Sequence, residues 1–172
     1  MMMKQILDRS EGDRSEARVQ LRYAIHESGH AIVAWATGRE VIYVRITRKG
    51  SSAGSTRLDP LPAHIDLGSP RNRALADREV MIGLGGAMAE RKYLGERWRS
   101  TPSQTDWTMI SAAGAHAIQS RVSLEAYLDR LARQVSVLLD LHRSRVEIVA
   151  LALFEEGELT GKALKKLISS SQ

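Results

Sequence analysis

The chain has no cysteine among its 172 residues. Disulfides and thiolate metal sites are thereby excluded, and any bound metal must be held by imidazole and carboxylate. The same lack suits a cytoplasmic protein, which is the expected location. Aromatic residues are sparse, at 5% with a single phenylalanine, and lysine and arginine are scattered rather than run together. The net charge of +5 therefore reads as a solvated basic surface and gives no reason to expect nucleic acid as a partner. No apolar run reaches the roughly 18 residues of a membrane span, and Met1 to Asp8 lacks the apolar core of a signal peptide, so no membrane is expected. The chain has neither an internal repeat nor a Walker A phosphate loop, hence no sign of ATP binding. Hydrophobic residues still make up 43%, enough for one domain with a real core.

Within that domain one stretch carries chemistry. Residues 26–30 read His26-Glu27-Ser28-Gly29-His30, an H-E-x-x-H. Four residues apart on a helix, two imidazoles stand about 6 Å from each other between β-carbons and can share one zinc ion. Glu27 lies about 100° further round the axis, where it can act as general base without ligating the metal. Ala17, Leu21, Ala24, Ile25, Ile32, Val33 and Trp35 recur at helical spacing, which predicts a helix over 13–37 with Asp13 or Ser15 as its cap and Gly38 as its stop. Gly29 in its interior costs on the order of 1 kcal/mol against alanine, so something, such as a neighbouring strand, must approach there.

The rest of the chain follows from periodicity and punctuation. Residues 1–12 form a polar lead-in. Val41 to Arg48 alternates, with Ile42, Val44 and Ile46 on the buried face, and a glycine-serine turn over 50–55 leads to a short returning strand, Ser55 to Leu58. Asp59 to Pro70 holds three of the four prolines and reads as loop, with His64 an exposed loop histidine. A helix over 71–94 contains Gly83, Gly85 and Gly86, which implies close packing against another backbone, that of the H-E-x-x-H helix. Its Glu90 is an exposed acid, an acceptor for a ligand histidine, or a ligand itself. After a linker over 95–104, Ser103 or Thr105 caps a helix through Ala117; Asp106 in its first turn is a good helix-start residue. His116 falls on a different face from Asp106, and His142 has no visible partner. Leu124 to Phe154 is helical with a break near 140–143, and Leu128, Leu131, Val135, Leu138, Leu139, Val146, Val149 and Leu153 form its buried stripe. Glu155 to Glu158 is a turn, Thr160 caps a last helix to Ile168, and 169–172 is a tail. The expected fold is mainly α with a small β-sheet: a zinc-site core over 13–120 and a C-terminal helical part over 121–168, in a single domain.

In this arrangement the chain resembles the peptidase domain of the FtsH family of AAA zinc proteases. His26-Glu27-Ser28-Gly29-His30-Ala31 resembles that family's HEAGHA segment. Leu84-Gly85-Gly86-Ala87-Met88-Ala89-Glu90 followed by Leu94-Gly95-Glu96 resembles LGGRAAE…FGE, with Ala87 in place of the family's arginine. Thr101 to Trp107 is similar to TGASNDL, departing at Pro102, Gln104 and Thr105, and Glu158-Leu159-Thr160-Gly161 resembles a segment near the domain's end. The order holds over residues 20–168. The resemblance implies a zincin-like fold, in which the H-E-x-x-H helix packs on a short edge-strand sheet and a C-terminal helical bundle. It also implies one zinc per chain held by His26, His30 and Asp106, with Glu27 as base. The expected activity is metalloendopeptidase cleavage of unfolded or flexible polypeptides, the substrate lying along an edge strand near Arg45, Ile46, Thr47, Gly54, Ser55 and Thr56. The family's ATPase module and membrane helices have no counterpart in these residues, and the Met1 start with its lead-in predicts a stand-alone, ATP-independent relative. A separate partner ATPase and a homo-oligomer are compatible with that. Two other readings stand beside it: a cytosolic regulator-cleaving protease with Glu79 or Glu90 as third ligand, and a non-catalytic zinc-containing module docking on a partner ATPase.

Overall fold

The computed structural model describes residues 14–47, 54–95, 102–119 and 123–170. The lead-in, the Asp13 cap, residues 50–53 of the glycine turn, most of the linker after Gly95 and the last two residues lie outside it. The fold is mainly α with one small antiparallel sheet. Helix α1 (Arg14–Ala36) is its axis. Every residue from 24 to 34 is buried, so this helix is enclosed on all sides rather than laid on a core by one face. It packs chiefly on α2 (Arg73–Leu94), then on α5 (Arg143–Glu156), with β1 (Val41–Ile46) and β2 (Gly54–Leu58) along another side. At its end the Gly38 N–H donates to the Trp35 carbonyl and the Arg39 N–H to the Ala34 carbonyl, with Gly38 at φ +80°; this paired closure favours glycine and stops the helix.

The close approach at Gly29 comes from a helix, not a strand. A β-carbon at Gly29 would strike the Gly85 carbonyl oxygen and come within 2.6 Å of the Ala89 β-carbon, while one at Gly85 would lie 2.8 Å from the Gly29 carbonyl oxygen. The backbones of α1 and α2 thus touch at a glycine–glycine crossing. The propensity lost at these positions is the cost of bringing two functional helices that near.

The sheet order is β2-β1-β3, all antiparallel; β3 (Glu158–Thr160) was not expected as a strand and runs from the end of the expected turn, Glu158, to the helix cap, Thr160. Three residues are too few for alternation to register, and β3 places β1 in the middle of the sheet. The expected pattern on β1 also needs correction. A bulge between Val41 and Tyr43 puts two residues of β1 opposite one of β2, so Val41 turns inward and Ile42 outward, 44% exposed; Val44 and Ile46 keep the core face.

A short 3-10 turn (Pro70–Asn72) leads into α2. Helix α3 (Gln104–Gln119) packs on α2 and starts directly after Ser103. The expected break separates α4 (Leu124–Leu141) from α5 at His142. Leu131, Val135, Leu139, Val146, Val149 and Leu153 are all at 0% exposure, while Leu128 and Leu138 pack at the margin. Ser123 caps α4 and Thr160 caps α6 (Gly161–Ser169), each side-chain oxygen accepting a backbone N–H three residues on. Among the described residues no helix is long and apolar enough to cross a membrane.

Candidate metal centre

Helix α1 delivers His26 and His30 one turn apart, both buried, with Nε2 to Nε2 at 3.0 Å. Their other ring nitrogens are already committed. His26 Nδ1 lies 2.7 Å from Glu90 Oε1 and His30 Nδ1 lies 2.7 Å from the Ile82 carbonyl oxygen. A carbonyl only accepts, and so does an ionised carboxylate, so both Nδ1 atoms must donate. Both Nε2 atoms of the neutral rings then present lone pairs to the same small space. Helix α3 adds Asp106, whose Oδ1 is 3.2 Å from His30 Nε2 and whose Oδ2 is 3.4 Å from His26 Nε2. Among the described residues these three form the group whose ligand atoms converge, all within 4.8 Å of one another.

Lone pairs and a carboxylate brought this close require a cation between them. In the metal-free protein a proton serves. Burial opposes charge on His26, but the carboxylates of Asp106, Glu90 and Glu27 outweigh it and push the imidazole up from 6.5 to about 9. Burial likewise opposes charge on Asp106, yet bonds to His26 and His30 and the Ser103 N–H hold its carboxyl well below the usual carboxylate range. Two imidazoles, both Nδ1–H tautomers fixed from behind, and one carboxylate are a donor set that fits zinc. The space is also kept clear: a β-carbon at Gly86 would lie 2.5 Å from both Nε2 atoms.

Asp106 reaches the site while capping its own helix. The Ser103 N–H donates to Asp106 Oδ2 at 2.8 Å, and Ser103 Oγ accepts the Asp106 N–H at 3.2 Å. This reciprocal pair is the geometry of a capping box. Ser103, not Thr105, is therefore the cap, and its second function is to hold the carboxylate.

Glu90 is 2% exposed, not a surface acid. Its Oε1 holds His26 and its Oε2 accepts from Arg22 Nε at 2.7 Å, so it is an acceptor behind a histidine and not a member of the converging group. Glu79, also buried, is taken by Arg39 Nε at 2.6 Å and is likewise outside that group. Sequence reasoning overlooked Arg22, although it lies four residues before His26 and so on the same helix face. The Ile82 carbonyl carries no side-chain signal and could not have been found that way. His64 is exposed in its loop, and the His116 side chain lies outside the described residues. His142 is not partnerless: its ring meets Trp35 edge-on at 5.1 Å and Arg145 Nη1 lies 3.3 Å from its Nδ1.

The converging atoms open onto a cleft of about 520 Å³ that Glu27, Gly54, Ser55, Thr56, Leu58 and Met109 also line. Glu27 is 5% exposed and faces this space from α1. Of the residues expected along the substrate strand, the structure brings Gly54, Ser55 and Thr56 to the cleft. Arg45, Ile46 and Thr47 are not there: β1 is bonded on both sides by β2 and β3, and the edge beside the site is β2.

No protein-family model matches the chain. It is similar to the ATP-dependent zinc metalloprotease FtsH 2 of Symbiobacterium thermophilum, 28% identical over 87% of this chain and 30% of that protein. It is also similar to the ATP-dependent zinc metalloprotease FTSH 11, chloroplastic/mitochondrial, of Arabidopsis thaliana, 28% identical over 87% of this chain and 21% of that protein. The chain therefore spans less than a third of the length of either relative. The likeness is distant and points to a region related to FtsH.

Proposed function

We propose that this chain is a zinc-dependent endopeptidase that hydrolyses peptide bonds in unfolded or flexible polypeptides. The observation that carries the proposal is the pair of Nδ1-anchored histidines facing Asp106, with Glu27 beside them at the cleft. His26 and His30 would hold zinc through Nε2 and Asp106 through its carboxylate. Zinc in such a site supplies Lewis acidity, which brings the pKa of water to about 7 and polarises a carbonyl. Glu27 accepts a proton from the attacking water on its carboxylate and returns it to the departing amine nitrogen. Buried walls on α1, α2 and α3 limit water around these groups. The β2 edge carries backbone groups that the described strands leave unpaired on its outer side, and an extended substrate can add to it main chain to main chain. Such pairing is nearly indifferent to sequence and admits only a chain that is already extended. The distant likeness to zinc metalloproteases supports the same reading.

The test is turnover of casein or a quenched fluorogenic peptide by the zinc-loaded chain and by Glu27→Gln. Removing a general base costs about 10²–10⁴-fold in rate, so Glu27→Gln should retain zinc and lose nearly all turnover. Equal turnover by both proteins would rule the mechanism out.

A further inference from the structure

We infer that β2 is the positioning device of Glu27: the Thr56 hydroxyl aims its carboxylate, and Gly54 leaves the space in which that carboxylate sits. The inference rests on the peptidase reading and goes beyond it, because it reassigns Thr56 from substrate pairing to control of the base.

Thr56 Oγ1 donates to Glu27 Oε2 at 2.7 Å and lies 3.3 Å from the Glu27 carbonyl oxygen. The hydroxyl has one proton, and the shorter contact, to the charged acceptor, is the one that takes it. Among the described residues nothing else donates to the Glu27 carboxylate, which is 5% exposed. Oε2 is thus occupied and Oε1 is the oxygen left to receive a proton. Gly54 fixes the other side. A β-carbon there would lie 2.5 Å from Glu27 Cγ and 2.7 Å from Cδ, and closer still to Oε1. Any side chain at residue 54 would therefore turn the carboxylate out of its place.

The constraint is needed because of what stands next to Glu27. A glutamate has three rotatable bonds, and a zinc that His26, His30 and Asp106 would hold would attract its carboxylate. Released from Thr56, it would be free to compete as a ligand for a zinc held there, and so be lost as a base. The hydroxyl keeps it a base instead of a ligand. Because the donor is on the strand along which a substrate would lie, substrate pairing and alignment of the base fall to one element.

The variants are Thr56→Val, which deletes the hydroxyl and keeps the shape, Thr56→Ser, which restores it, and Gly54→Ala. With the zinc-loaded chain and a quenched peptide, Thr56→Val should lower kcat about tenfold, a fraction of a general base's whole contribution. KM should stay within about twofold and the zinc content should stay at one per chain; a strand that merely needed Thr56 to fold would lose both. Thr56→Ser should recover most of kcat, Gly54→Ala should lose it, and Thr56→Val should cost nothing more in a Glu27→Gln background. Wild-type kcat in Thr56→Val, with Glu27→Gln inactive, overturns the inference and leaves the peptidase reading standing. Equal turnover of wild type and Glu27→Gln overturns that reading instead. The placement of Glu27 is then decided by a crystal structure of zinc-loaded Thr56→Val: a carboxylate that has left its position supports the inference, and one that has not moved sinks it.

Discussion

Replacing Gly86 with alanine adds one methyl group to the protein and should empty the metal site. The added carbon would stand 2.5 Å from His26 Nε2 and 2.5 Å from His30 Nε2. Ordinary contact between such atoms needs about 3.5 Å, so the deficit is about 1 Å on each ring. Neither ring can simply retreat, since Glu90 and the Ile82 carbonyl hold both from behind at 2.7 Å. The methyl also occupies the place where zinc would lie about 2.0–2.1 Å from each nitrogen. We expect zinc affinity to fall by at least about 100-fold, the upper range of damage to a ligand's support, because here the ligand space itself is filled. Stability should change far less. Alanine gains about 1 kcal/mol of helix propensity over glycine, and overpacking costs about 1–3 kcal/mol. The net, zero to about 2 kcal/mol, moves the melting temperature by a few degrees in a domain of this size. Gly83→Ala, one turn earlier on α2, is the control. Its methyl meets Ile110 Cγ1 at 2.7 Å, an apolar side chain, so it should disturb packing and keep the metal. The assay is metal content after dialysis against zinc, with thermal melting of the metal-free proteins alongside. One zinc per chain in Gly86→Ala would refute the argument, because the lone pairs would then not converge where the structure directs them.

Three further outcomes follow from the same geometry. Asp106→Ala should lose zinc and, through loss of the capping pair with Ser103, about 1 kcal/mol of stability, read by metal analysis and denaturant titration. Glu90→Gln should keep one zinc but bind it about 10–100-fold more weakly, measured by chelator competition; zinc loss equal to that of Asp106→Ala would return Glu90 to the ligand set. The metal-free protein should respond to pH through His26. Its folded pKa of about 9 exceeds the ordinary 6.5, so its contribution to stability is complete below 6.5 and is lost as pH rises through 9. Zinc must displace that proton, so its apparent affinity should climb by up to about tenfold per pH unit until about pH 9; a flat profile between pH 7 and 8 would contradict this.

Much of the fold was legible because its signals are local. The period of α1, the stop at Gly38, the cap at Thr160 and the break near His142 each depend on residues a few positions apart. The glycines of α2 announced a close backbone contact and named the correct partner helix. What stayed hidden is non-local. Strand β3 is too short to show a period, and the bulge that turns Ile42 outward depends on the register of β2. Glu79 and Glu90 could not be ranked, for a geometric reason. Eleven residues are three turns and about 20°, so both lie on one face of α2, about 16 Å apart along the axis. Their partners are well separated along the chain: Arg22 and His26 lie within α1, which crosses α2, and Arg39 lies just past its C-terminal stop. Only that crossing tells the two acids apart. Asp106 posed a different difficulty: local sequence favours a helix start and the family resemblance a ligand, and the carboxylate accepts from the Ser103 N–H and meets the histidines at once.

The five-residue motif therefore specifies which atoms are available and leaves their directions open. His26 is turned by Glu90 of α2, His30 by the Ile82 carbonyl of α2, and Glu27 is met by Thr56 of β2, while Asp106 comes from α3 and is steadied by Ser103. Each direction is thus set by an element other than the helix that carries the motif. An accidental H-E-x-x-H on a buried helix would have no reason to find acceptors behind both Nδ1 atoms. Nor would it have a glycine where a methyl would block both Nε2 atoms. Those supports constrain the chemistry more tightly than the spacing does: they fix the tautomers, the tautomers fix the lone pairs, and lone pairs that face each other at 3.0 Å require a cation.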